Sequence, residues 1–136
     1  MIGFDTFDVG RSGLTLSRTW LDVIANNIAN VNTVHPAGQA PFRASYLVAQ
    51  EIVAPGLGPS GQGVRPVALV EDPSTPAMVP SPGNPLADAN GNVTRPVVDL
   101  AVEMTNMIMA QRSFEANERT IETARDMYQA ALQIGK

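Results

Sequence analysis

At 136 residues the chain is one domain's worth of material, enough for a modest hydrophobic core. Charged residues are 16% of the total, below the usual quarter, and the net charge is only -4 with no lysine–arginine cluster, which argues against nucleic acid or an anionic membrane as a partner. No apolar run approaches the roughly 20 residues that span a bilayer, and the absence of cysteine excludes disulfides and thiolate metal sites.

The eleven glycines and eleven prolines fall mostly between Pro36 and Pro96. The chain therefore reads as mainly α with a small β-rich middle. Helical segments are expected within 1–35 and 97–136, packed as a coiled-coil-like pair, with a Pro/Gly-rich β-hairpin segment over 36–96. The opening residues Met1-Ile2-Gly3-Phe4-Asp5 lack the basic and apolar regions of a cleavable signal peptide.

In the first helical segment Leu14, Leu21 and Ile28 lie seven apart, with Ser17, Ile24 and Val31 at the intervening positions. This 3-4 spacing places one stripe on one helical face. Asp8 or Ser12 is the expected N-cap. Asn26, Asn27, Asn30 and Asn32 then compete for backbone hydrogen bonds, so the helix should fray and turn before Pro36.

In the middle, residues 44–53 and 63–71 read as two strands separated by a Pro/Gly-rich loop. Asp88-Ala89-Asn90-Gly91-Asn92-Val93 contains an Asn-Gly pair suited to a tight hairpin turn. Pro66, Pro80 and Pro96 are expected at sheet edges or strand ends.

The last segment carries the strongest periodicity. Leu100, Met107, Phe114, Ile121 and Tyr128 recur every seventh residue, interleaved with Glu103, Ala110, Asn117, Ala124 and Ala131. Large residues alternating with mostly small ones let a second helix approach closely. Asp99 is the expected N-cap and Gly135 the expected stop. A helix of about 35 residues would run roughly 50 Å, twice the length expected for the first. Its surplus apolar stripe then calls for other subunits. The candidate contact residues are Leu14, Leu21, Ile24, Asn27, Ile28 and Asn30 in the first helix. In the second they are Leu100, Met104, Met107, Phe114, Asn117, Ile121, Ala124 and Tyr128.

Catalytic chemistry finds little support. The single histidine, His35, reads as a solvated loop residue, and one histidine with no cysteine cannot build a His-based triad or a multi-His metal site. Asp88 to Asn92 has its glycine too early for a calcium loop and no bidentate glutamate after it. Gly61-Gln62-Gly63 lacks the third glycine and the helix of a phosphate loop. No cofactor, metal, nucleic acid or small-molecule substrate is expected.

Two stretches carry a resemblance. Leu21-Asp22-Val23-Ile24-Ala25-Asn26-Asn27-Ile28-Ala29-Asn30-Val31-Asn32-Thr33 resembles the N-terminal signature of bacterial flagellar rod, hook and hook-associated axial proteins. Pro82-Gly83-Asn84-Pro85-Leu86-Ala87-Asp88-Ala89-Asn90-Gly91, followed by Glu103-Met104, Asn106-Met107 and Ala110-Gln111-Arg112-Ser113-Phe114-Glu115-Ala116-Asn117, is similar to the C-type family of small proximal rod proteins. That resemblance implies a structural subunit of the basal body, exported by the flagellar type III apparatus without a cleaved signal. It would polymerise with itself and other rod subunits into a periplasmic drive shaft. The alternatives are a helical adaptor or chaperone of an export system, which fits the stripe but not the Pro-Gly-Asn-Pro segment, and a wall hydrolase, which needs a cleft with positioned carboxylates.

Overall fold

The first helix, α1, runs from Ile2 to Ala29 in the computed structural model, which describes residues 2–36, 38–53 and 62–135, with side chains from Thr6 onward. It is 28 residues long and begins well before either expected cap. Asp8 and Ser12 are interior, and the Ser12 hydroxyl donates back to the Val9 carbonyl (2.7 Å). Gly10 and Gly13, which weaken an isolated helix by about 1 kcal/mol each, are tolerated because a second helix lies close against them. The expectation of a first helix half as long as the second is corrected accordingly.

α1 ends in its asparagines, as expected. Asn30 Nδ2 donates to the Asn26 carbonyl (2.9 Å) and to Asn26 Oδ1 (2.8 Å), and Thr33 Oγ1 donates to Asn30 Oδ1 (3.2 Å). The asparagine side chains thus bond to the last turn and to one another at the helix terminus. Val31 therefore lies in a turn beyond the helix.

Strand β1 (Ser45–Glu51) pairs with β2 (Val64–Glu71), and β3 (Ala77–Pro80) pairs antiparallel with β4 (Asn92–Arg95). The first pair runs antiparallel: Asp72 N–H donates to the Ala44 carbonyl (2.7 Å) and Ile52 N–H to the Gly63 carbonyl (2.8 Å). Most of the expected loop between them, residues 54–61, lies outside the described residues. Pro66 sits within β2, Pro80 ends β3 and Pro96 follows β4, as expected for strands that are all edges. The Asn-Gly turn forms, with Gly91 at φ 76° and its N–H donating to the Asp88 carbonyl (2.9 Å). It does not join two strands directly, however. β4 reaches back to β3 across the whole connection 81–91, because Pro82 and Pro85 cannot donate to a ladder. His35 is half-buried, and its backbone exchanges hydrogen bonds with Thr94 (2.9 and 3.0 Å).

The second helix, α2 (Leu100–Ile134), has the expected 35 residues. Asp99 Oδ1 accepts from the N–H groups of Ala101 (2.9 Å) and Val102 (3.2 Å), so the N-cap is where the sequence places it. Gly135 follows in a turn.

The residues group into two units. One comprises Met1–Leu21, Leu47–Ala68 and Ile108–Lys136; the other comprises Asp22–Tyr46 and Leu69–Met107. In the first unit, α1 and α2 run antiparallel at close range. A Cβ on Gly10 would lie 2.6 Å from Ile121 Cγ1, one on Gly13 would lie 2.7 Å from Asn117 Nδ2, and Ser17 Oγ donates to Ser113 Oγ (3.1 Å). On the sheet side, Leu16 and Trp20 share a pocket with Leu47 and Ala49. Ser12 Oγ also accepts from Val64 N–H (3.1 Å), and Gly63, at φ 116°, presses against that serine where a side chain would collide. Ser12→Ala leaves the Val64 N–H without this acceptor and should lower stability by about 1–2 kcal/mol. A denaturant midpoint equal to the parent's would show that β2 is held by other contacts.

Candidate assembly surface

Burial along both helices follows mainly the interleaved positions, several of them small, and less the large heptad positions. On α1 the buried residues Gly10, Ser17 and Ile24 are seven apart, with Asn27 three beyond. On α2 they are Glu103, Ala110 and Ala124, with Asn117 half-buried between. Small side chains bring the backbones close, so the seam centres on them and the large residues flank it.

Of the expected contact residues, Ile24, Asn27 and Ala124 are buried within the chain. Leu14, Leu21, Ile28, Asn30, Met107, Phe114, Asn117 and Ile121 are half-buried, while Leu100, Met104 and Tyr128 are exposed. Thus Ile121 and Asn117 meet α1 of the same chain at Gly10 and Gly13, and only part of the set faces outward.

Asn27 is a central side chain of the second unit. Its Nδ2 donates to the Ser45 carbonyl (2.9 Å) and to Glu103 Oε1 (3.2 Å), and its Oδ1 accepts from Ser45 N–H (2.9 Å). One amide thereby ties α1, β1 and α2 together. Burial pushes the Glu103 carboxyl above its ordinary range, partly opposed by the Asn27 hydrogen bond. Nearby, the Tyr46 hydroxyl donates to Asp72 Oδ2 (3.0 Å), Ser74 N–H to Asp72 Oδ1 (2.7 Å), and Arg43 Nη1 to the Asp72 carbonyl (3.1 Å). The hydrogen bonds from Ser74 hold the Asp72 carboxyl below its ordinary range. Arg95 Nη2 donates to Asn32 Oδ1 (2.6 Å), tying β4 to the turn after α1.

Part of the outward-facing surface is apolar. In the second unit Val31, Ala77, Val79, Arg95 and residues 96–100 line an open groove of about 520 Å³. Val97 and Leu100 on its wall are exposed, and Met104, one turn along α2, is 55% exposed. In the first unit Met127, Tyr128, Leu132 and Ile134 leave the end of α2 apolar and exposed. Val102, Ile108 and Met109 are exposed as well, outside the heptad positions singled out by spacing. Among the described residues no group of three or more His, Asp or Glu side chains is placed to hold a metal ion, and no helix is long and apolar enough to cross a membrane.

Comparison with known proteins finds two family models, one at each helical end. Residues 7–35 match the family model described as flagella basal body rod protein. Residues 89–134 match the flagellar basal body rod FlgEFG protein C-terminal model. The chain is 38% identical over 130 residues to the flagellar basal-body rod protein FlgC of Yersinia enterocolitica and to that of Salmonella typhimurium, in each case covering 96% of both chains. It is 32% identical over 150 residues to the Bacillus subtilis protein of the same name, over the full length of both. At that identity and coverage the chain belongs to the FlgC family of flagellar basal-body rod proteins, and its work is structural rather than enzymatic.

Proposed function

We propose that the chain polymerises with itself and with other rod subunits into the helical drive shaft of the proximal rod, which passes motor torque outward. The observation that carries this reading is the apolar surface of α2, at Leu100 and Met104 in one unit and at Tyr128, Leu132 and Ile134 in the other, left uncovered by the chain's own elements. A heterologous contact repeated by rotation and rise generates a helical tube. The assembly core in this proposal is the helical material of 1–35 and 97–136, with 36–96 as the β/loop segment. Export by the flagellar type III apparatus without a cleaved signal, and assembly in the periplasm, belong to the same reading.

Exposed positions give the clean test, because Ile121 or Asn117 would report on the chain's own packing. Met104→Asp and Leu132→Asp should each alter the stability of the purified chain by no more than about 0.5 kcal/mol. In the assembled rod each would bury an unpaired charge at every repeated contact, at several kcal/mol per site. Electron microscopy of basal bodies should then show truncated rods, and cells should not swim. Normal swimming by both variants would remove this surface from the assembly.

A further inference from the structure

Glu103 occupies a seam position on α2 whose counterparts one and three heptads along are alanines, Ala110 and Ala124. It is 3% exposed, and among the described residues its hydrogen-bond donor is the neutral Asn27 amide, itself 1% exposed. The groups facing it carry no compensating charge. α1 offers Asn27, β1 offers the Ser45 backbone and Tyr46, and the Tyr46 hydroxyl is committed to Asp72. Tyr46 is itself pushed up, first by burial, then by Asp72, with Glu103 contributing least. Arg43, the nearby cation of this cluster, donates to the Asp72 backbone.

We propose that Glu103 and Asn27 form a proton-operated lock in this unit, tight when the Glu103 carboxyl is neutral and loosened when it ionises. The proposal rests on the packing of this unit and is independent of the assembly reading. A neutral carboxyl can sit in an uncharged pocket and still accept from the Asn27 amide, whereas a carboxylate there has lost water and gained no cation.

The sign follows from the direction of the shift. Burial raises the folded-state value above that of the unfolded chain, so the folded form binds the proton more tightly. Stability is full below the ordinary glutamate value and falls as pH rises from there through the raised one, above which the loss is complete. An acidic compartment therefore holds α1, β1 and α2 together more firmly than a neutral one.

The test uses the full chain. Carbon-13 titration of the Glu103 carboxyl should give a midpoint above that of an ordinary glutamate. Urea midpoints measured between about pH 4 and about pH 8 should fall with rising pH for the parent and then level off. Glu103→Gln, neutral throughout, should lack that fall and exceed the parent above the window. A carboxyl titrating at or below the ordinary value, or parallel pH curves for parent and variant, would overturn the proposal. Where the glutamine variant does not fold, the titration of the parent decides alone.

Discussion

Asn27→Asp should strongly weaken packing of the unit formed by Asp22–Tyr46 and Leu69–Met107 at neutral pH. The substitution changes one side-chain nitrogen to oxygen and leaves the volume almost unaltered. It nevertheless removes the donor to both the Ser45 carbonyl and Glu103 Oε1, and it sets a second carboxyl 3.2 Å from the first. Both would be buried without a cation, so the expected loss is on the order of 3–5 kcal/mol. That is a large share of the roughly 5–15 kcal/mol that holds a typical domain together. Asn27→Ala, which loses the hydrogen bonds without adding charge, should lose less, about 2–3 kcal/mol. Amide exchange at Ser45 and along the first turns of α2 reads both variants directly. Protection in Asn27→Asp equal to the parent's at neutral pH would show that the amide is not the tie between these elements.

Gly10→Val should also be damaging, for a steric reason. A Cβ at Gly10 lies 2.6 Å from Ile121 Cγ1 before either valine methyl is added, and Gly10 is buried. Valine gains a few tenths of a kcal/mol of helix propensity over glycine and loses about 1–3 kcal/mol or more to overpacking. The helices must separate or Ile121 must leave its rotamer. Gly10→Ala sets a larger propensity gain against a smaller clash and should lie closer to neutral. Because the clash is with one side chain, Ile121→Ala in the Gly10→Val background should restore part of the loss. Additive losses in that double-mutant cycle, read from denaturant midpoints, would place the strain elsewhere.

Local signals were legible in the sequence to within a residue or two. Asp99 caps α2, Gly135 ends it, and β1 and β2 lie inside the expected ranges, whereas β3 and β4 were not expected as strands. Each depends on chemistry contained in a few neighbouring residues: a carboxylate reaching two N–H groups, a glycine after the last turn, β-branched runs bounded by proline. The start of α1 was not legible. Gly10 and Gly13 look like helix breakers until the partner helix that requires them is known. The same blindness shifted the seam. Counting large apolar residues favours Leu14, Leu21, Phe114 and Tyr128, yet close approach buries Gly10, Ser17, Ala110 and Ala124 instead. The small residues every seven positions had signalled close approach, but not that the seam centres on them. Glu103 was placed on the seam by its spacing, but its pairing with Asn27, 76 positions away, carried no signal. The exposed Val102, Ile108 and Met109 lie off the heptad and became visible only once the covered face was fixed.

The contact between Asn27 and Ser45 also bears on strand pairing between chains. In a two-stranded sheet each strand has one side without a neighbour, and such an edge recruits strands from other molecules. At Ser45 the Asn27 amide supplies one donor and one acceptor to the strand's backbone, as an adjoining strand would, and so occupies that rung of the ladder. On β2, Pro66 has no N–H to offer an incoming strand. Both features oppose addition of a further strand at these rungs, and with it sheet-mediated aggregation.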